Sequence, residues 1–277
     1  MAKPDTIISL TQDEKTIMGL YGHPSAGKTD FICQGARDGM KILLLRCDLD
    51  HIPARALNSG AEQWIVRDWA EMNNEVLEYI RHDSAEWDWI WLDSATLWQD
   101  HGLQELFDGA VAAKPHRGEH GPDKPEYRVN MWRMEQWFRH AIGGVQCNLG
   151  IAAHAQMMDD PWPDVGSILM PLIQGRNMPQ KFSAMMNFIG YLEVKEGADG
   201  QWRRLHTQLT GEAYGKDQYD AFPTGRLDHP TLSKVASAIE ATKVPAKPGR
   251  RAGRRGPQGA NTRDKAKPGR RGRRAAA

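Results

Sequence analysis

Residues Gly22-His23-Pro24-Ser25-Ala26-Gly27-Lys28-Thr29 set two glycines, a lysine and a hydroxyl at the spacing G-x-x-x-x-G-K-T. Chemistry at this spacing is phosphate binding: small residues let backbone N–H groups wrap the oxygens, and the lysine and hydroxyl close the site. Lys28 is expected to reach the β- and γ-phosphates, and Thr29 to bind Mg²⁺. The loop works only between a strand and a helix. Residues 16–21 (TIMGLY) read as a short buried strand, and residues 30–36 (DFICQGA) as the first turns of a helix whose N-terminal dipole favours an anion. A chance glycine-rich loop would lack these flanks.

Further candidates follow apolar runs. Asp93 ends Trp87-Asp88-Trp89-Ile90-Trp91-Leu92, where a strand-end carboxylate can hold the hydrated metal; the plain alternative is an ordinary strand-end acid. Ser94 and Thr96 follow as candidate helix caps. Asp48 and Asp50 lie just past the run after the phosphate-loop helix, so either can polarise an attacking water, or both are solvated loop acids. Spaced two apart, at most one faces the site if that segment is extended. His154 and Gln156 end another apolar run and are candidates to touch the γ-phosphate and report its loss to residues 157–177, a candidate moving loop; a hydrogen-bonded structural histidine is the alternative. Arg176 and Lys181 are either surface charges or a finger for a neighbouring subunit's site. His101, His116, His120 and Cys147 form no recognisable metal set.

The elements that must position these residues alternate. Strands are expected at residues 41–47, 63–67, 87–93 and 148–154, with helices at 69–81 and 232–241, another bearing Trp132, Met134, Trp137 and Phe138, and one at 180–188. Residues 6–10 and 167–173 are further short strand candidates, and 191–194 with 202–208 read as a hairpin. Residues 109–127, rich in Gly, Pro, His and Lys, read as a mobile loop. The near-continuous apolar run at 41–47 suits a strand buried on both faces, so the fold class is α/β with a mostly parallel central sheet.

The 277 residues have a net charge of only +1, which conceals an asymmetry. From Lys243 onward there are four Lys and nine Arg against one acid, a net +12, leaving −11 on the remainder. A body over residues 1–242 and a disordered tail over 243–277 are expected. The tail's clusters Arg250, Arg251, Arg254, Arg255 and Arg270, Arg271, Arg273, Arg274 make a flexible polycation suited to nucleic-acid phosphates, though a merely solvated tail has the same composition. Three scattered cysteines fit a reduced intracellular compartment, and neither a membrane span nor a secretion signal is expected.

The order of the phosphate loop, the strand ending in Asp93-Ser94-Ala95-Thr96 and the strand ending in His154 with Gln156 resembles RecA-like ATPases over residues 14–210. Within that group, Gly175, Pro179 and Phe182 look like the phage nucleotide-binding proteins that include the Sak-four-type single-strand annealing ATPases. The resemblance implies a RecA-like P-loop core, ATP with Mg²⁺, homo-oligomers on single-stranded DNA, annealing or strand pairing in phage recombination, a single-strand binding protein as partner, and the cytoplasm of a bacterial host. On that pattern Lys28, Thr29 and Asp93 carry over. The catalytic glutamate does not, leaving Asp48 or Asp50 in its place. A helicase or loader-like motor of the same fold, a small-molecule kinase and a nucleotide switch with little hydrolysis remain alternatives.

Overall fold

The computed structural model describes residues 15–47, 54, 56–162, 164–198 and 200–243. The candidate strand at residues 6–10, Asp48, Asp50 and the tail from residue 244 onward lie outside the described residues.

Strand β1 (Ile17–Gly22) leads through the phosphate loop into α1 (Lys28–Arg37). β2 (Ile42–Arg46) and β3 (Glu62–Ile65) follow. The helix expected at 69–81 is α2 (Trp69–Glu71), a π-helical turn (Met72–Val76) and α3 (Leu77–His82) in succession. Then come β4 (Trp89–Asp93), α4 (Ala95–Ala113), α5 (Lys124–Gly144), β5 (Asn148–Met158) and β6 (Ile168–Pro171). The chain continues through α6 (Met178–Met185), the hairpin of β7 (Phe188–Gly197) and β8 (Gly200–His206), the short β9 (Lys216–Asp217) and β10 (Arg226–Asp228), and α7 (Leu232–Lys243).

The main path of the sheet runs β10-β8-β7-β1-β5-β4-β2-β3. Every pairing from β3 across to β7 is parallel. β8, β9 and β10 add antiparallel pairs at one side, and β6 folds antiparallel onto the end of β5. The fold is therefore α/β with a mostly parallel central sheet, as the motif order implies. Because β1, β5 and β4 run parallel, the phosphate loop and Asp93 leave the sheet at the same carboxyl ends of the strands, with β5 between them. The carboxyl ends are where open α/β sheets bind ligands.

Period-2 alternation builds the two layers around this sheet. Leu43, Leu45, Ile90 and Leu92 join one buried cluster with Val76, Ile80, Trp137 and Phe138 from α3, α5 and the π-helical turn. Ile42, Leu44, Trp89 and Trp91 join the other, with Phe31 and Ile32 of α1 and Leu232, Val235 and Ile239 of α7. Trp91 fits because its register partner on β5 is Gly150; a Cβ there would fall within the indole. Two asparagine side chains anchor the start of β1: the N–H of Thr16 donates to Asn148 Oδ1 (2.9 Å) and that of Ile17 to Asn187 Oδ1 (2.7 Å).

Three expectations fail. Residues 109–127 are not a mobile loop: α4 continues to Ala113, a 3₁₀ turn covers Pro115–Glu119, and α5 begins at Lys124. Asp123 and Glu126 form a capping box, and Arg117 bonds both Glu126 (2.9 Å) and Asp123 (3.1 Å), tying the turn to the helix start. The helix expected at 180–188 is Met178–Met185, and Phe188 instead opens β7 beside β1, fully buried. Residues 157–177 are not one loop, since β5 extends to Met158 and pairs with β6 from Met158↔Ile168 to Ala155↔Pro171.

Candidate functional site

The loop's geometry depends on its glycines. Gly22 has no room for a side chain, since a Cβ would lie 2.6 Å from the carbonyl oxygen of Leu192. Gly27 takes φ 91° and ψ 30°, left-handed backbone that β-carbons disfavour, and caps α1 with no side-chain hydrogen bond. The first-turn N–H groups of α1 are thus left for an anion rather than for a capping side chain.

Lys28 folds back beneath the loop. It is buried, and its Nζ donates to the carbonyls of Gly22 (3.0 Å) and His23 (3.1 Å). Burial pulls its pKa down to about 8, against a smaller opposing pull from Asp93. A lysine with a lowered pKa is a cation that lacks sufficient anion nearby, which phosphate oxygens would supply.

Thr29 and Asp93 are 64 residues apart in sequence, yet Thr29 Oγ1 donates to Asp93 Oδ2 at 2.6 Å. This hydroxyl–carboxylate pair, next to a buried ammonium, is an all-oxygen donor set that fits a magnesium ion retaining several waters. The chain then turns into α4, with Ser94 as N-cap accepting from the N–H of Leu97 (3.4 Å).

A cavity of about 480 Å³ joins these groups, lined among others by Ser25, Gly27, Lys28, Thr29, Asp93, His154 and Arg203. Its size lies within the roughly 300–1,000 Å³ usual for small-molecule sites. His154 at the cavity wall has its pKa lowered by burial first and by Lys28 second, both of which favour the neutral imidazole in the ligand-free protein. Arg203 is a wall residue that motif reading does not find. It reaches across from β8 and donates Nε–H to the carbonyl of Ala26 (2.7 Å), lying against Gly27 so closely that a Cβ there would meet the guanidinium. Among the described residues no carboxylate pairs with Arg203, which leaves its charge available to an anion at the loop.

Behind the cavity, α4 fastens the strand carrying His154 to the segment that precedes α6. The N–H of His154 donates to Thr96 Oγ1 (2.9 Å), which donates to the carbonyl of Leu172 (2.9 Å); the N–H of Leu172 returns to the carbonyl of His154 (2.7 Å). One turn along α4, Gln99 Oε1 accepts from the N–H of Gln174. Thr96 is therefore a cross-strand fastener inside α4 rather than its cap. Gln156 does not line the cavity, and its Nε2 donates to the carbonyl of Pro171 (3.1 Å). Lys181 pairs with Glu135 (2.7 Å), and with Arg176 it lines a separate cavity. The structure thus brings together Ser25, Gly27, Lys28, Thr29, Asp93 and His154; Asp48, Asp50 and the tail arginines lie outside the described residues.

Cys33, Cys47 and Cys147 are buried, and none of the three is in a disulfide. Among the described residues no group of three or more His, Cys, Asp or Glu is arranged to hold a metal by itself, and no helix is long and apolar enough to cross a membrane.

No protein-family model matches this chain, and no curated protein sequence matches it. Among solved structures, a RadB recombinase is similar at 14% identity with a TM-score of 0.42, covering 69% of this chain and 79% of that one. The flagellar accessory protein FlaH from Methanocaldococcus jannaschii is similar at 11% identity with a TM-score of 0.37, covering 73% and 82%. Neither likeness carries a function to this chain.

Proposed function

We propose that this chain is a magnesium-dependent ATPase that binds single-stranded DNA as a homo-oligomer and promotes annealing or strand pairing, as in phage recombination in a bacterial host's cytoplasm. The observation that carries the nucleotide half is the meeting of Thr29 Oγ1 and Asp93 Oδ2 at 2.6 Å beside the buried Lys28. Bound Mg–ATP would supply the phosphoanhydride that is cleaved. Lys28 and the N–H groups at the start of α1 hold the outer phosphate oxygens, and Arg203 offers a second cation from β8. Thr29 and Asp93 hold the hydrated metal. His154, on the cavity wall, would offer a ring N–H as a donor toward the terminal phosphate.

The DNA half is supported by the sequence: a net +12 over the last 35 residues, on a body of net −11, gives Arg250 to Arg274 the composition of a phosphate-neutralising arm. A single-strand binding protein is the partner that this reading brings with it. A nucleotide switch with little hydrolysis is the second reading, and one observation favours it. Among the described lining residues the carboxylates are Asp93, which meets Thr29, and Asp30, which pairs with Arg37 at 2.7 Å. In the ATPase reading, by contrast, aligning the attacking water falls to Asp48 or Asp50.

The test is annealing of complementary labelled strands with and without Mg–ATP. Faster annealing that needs ATP and is lost in Lys28→Ala is expected. Equal strand binding with and without nucleotide, and no annealing, would discard the mechanism.

A further inference from the structure

Trp132 is the most exposed aromatic residue of α5, ahead of Tyr127 at 37%. It is 63% exposed, whereas Trp137 and Phe138 on the same helix are fully buried. A lone exposed apolar side chain needs no explanation, but this one lines a second cavity of about 330 Å³ together with Arg128, Glu135, Arg176 and Lys181. Arg128 and Glu135 flank Trp132 one turn away on either side of α5, while Arg176 and Lys181 come from the segment entering α6 and its first turn. The wall between them is built closely: Gly175 takes φ 107°, and a Cβ there would run into Met131 Sδ.

The electrostatics favour an anion. Among the described lining residues the one carboxylate, Glu135, is held by Lys181 (2.7 Å) and Arg139 (2.9 Å). Arg128 and Arg176 are exposed and have no ion-pair partner among the described residues. A flat aromatic face open to solvent between uncompensated guanidinium groups is the combination that holds single strands, with bases stacking on the ring and phosphates meeting the cations. A peptide supplies an anion only where it carries an acidic residue and has few flat faces to stack, whereas a polynucleotide supplies a phosphate and a base at every residue.

We infer that the Trp132 cavity is where the folded body grips single-stranded DNA, with one base stacked on the indole and neighbouring phosphates on Arg128 and Arg176. The inference rests on the DNA-binding reading above and adds to it a location on the body, distinct from the basic tail. The grip is fastened to the nucleotide site through α4: Thr96 bonds the His154 strand, and Gln99 bonds Gln174, next to Gly175 and Arg176.

The test uses the full chain and a fluorescent oligo(dT), with affinity measured across a salt series. Trp132→Ala is expected to weaken binding about five- to a hundredfold, the loss of one stacked base, with the salt slope unchanged. Trp132→Phe, which keeps a ring, should restore most of it. Arg128→Ala and Arg176→Ala should each reduce the salt slope by about 0.7, one single-strand phosphate contact. Wild-type affinity in Trp132→Ala, or a loss that Phe does not restore, overturns the location. A change in the oligomeric state of the DNA-free Trp132→Ala protein, seen by sedimentation, also overturns it by assigning this face to a subunit contact. Failure of the wild-type chain to bind any single strand strikes the DNA-binding reading itself, so the two failures are distinguishable.

Discussion

Lys28 makes nucleotide affinity depend on pH in a calculable way. In the ligand-free protein burial lowers its pKa to about 8. Phosphate oxygens replace the missing counter-charge, so the pKa in the complex returns to or above the ordinary lysine value near 10.4. The sign follows from linkage. Below about pH 8 the lysine is charged in both states and affinity is flat; above it, binding must take up a proton, and affinity falls by up to tenfold per pH unit until the pKa of the complex is reached. From about pH 7 to about pH 9.5 the expected loss is about 30-fold, or about 2 kcal/mol. Equilibrium binding of a fluorescent ATP analogue over this range reads it directly, because the γ-phosphate itself is fully ionised in the upper part of the range. Lys28→Met should bind weakly and with no such slope. An affinity that stays flat to about pH 9.5 in the wild type would refute the argument that Lys28 is a desolvated cation awaiting phosphate.

Three other substitutions probe the site and its support. Asp93→Asn should keep metal-free nucleotide binding while weakening magnesium affinity by about 10–100-fold, read as a shifted Mg²⁺ titration of nucleotide binding. Arg203→Ala should weaken triphosphate binding by about 1.5–3 kcal/mol, the value of a charge-assisted hydrogen bond, with a thermal midpoint near wild type; unchanged affinity would leave Arg203 as a strut for Ala26 only. Gly150→Ala should cost about 1–3 kcal/mol, because the new methyl must displace the fully buried Trp91, and a fall of several degrees in thermal midpoint checks it.

What was legible in the sequence was local. Gly22, Gly27, Lys28 and Thr29 announce themselves by spacing, and Asp93 by ending an apolar run, so their meeting required only that β1 and β4 be parallel and near one another. Arg203 was not legible, because its place at Gly27 depends on β7 pairing with β1 and β8 folding back on β7. Nothing in Trp202-Arg203-Arg204 says which arginine faces the loop; Arg204 turns out to pair with Asp228 at 2.6 Å. The end of α6 was hidden for a different reason. Apolar residues continue through Met185, Met186 and Phe188, so periodicity alone cannot separate the helix from the strand that follows. At residues 109–127 composition suggested a loop, yet Asp123 and Glu126 carried a capping signature that outweighs it. Trp132 looked like its helix neighbours, and only the packing of α5 showed it to be exposed.

The most direct measurement is steady-state ATP turnover with Mg²⁺, with and without single-stranded DNA, against Lys28→Ala as the blank. Turnover raised by DNA and abolished in the variant is the predicted result, coupling the Lys28–Thr29–Asp93 site to the nucleic acid. Wild-type turnover that ignores DNA, or that survives in Lys28→Ala, would contradict it.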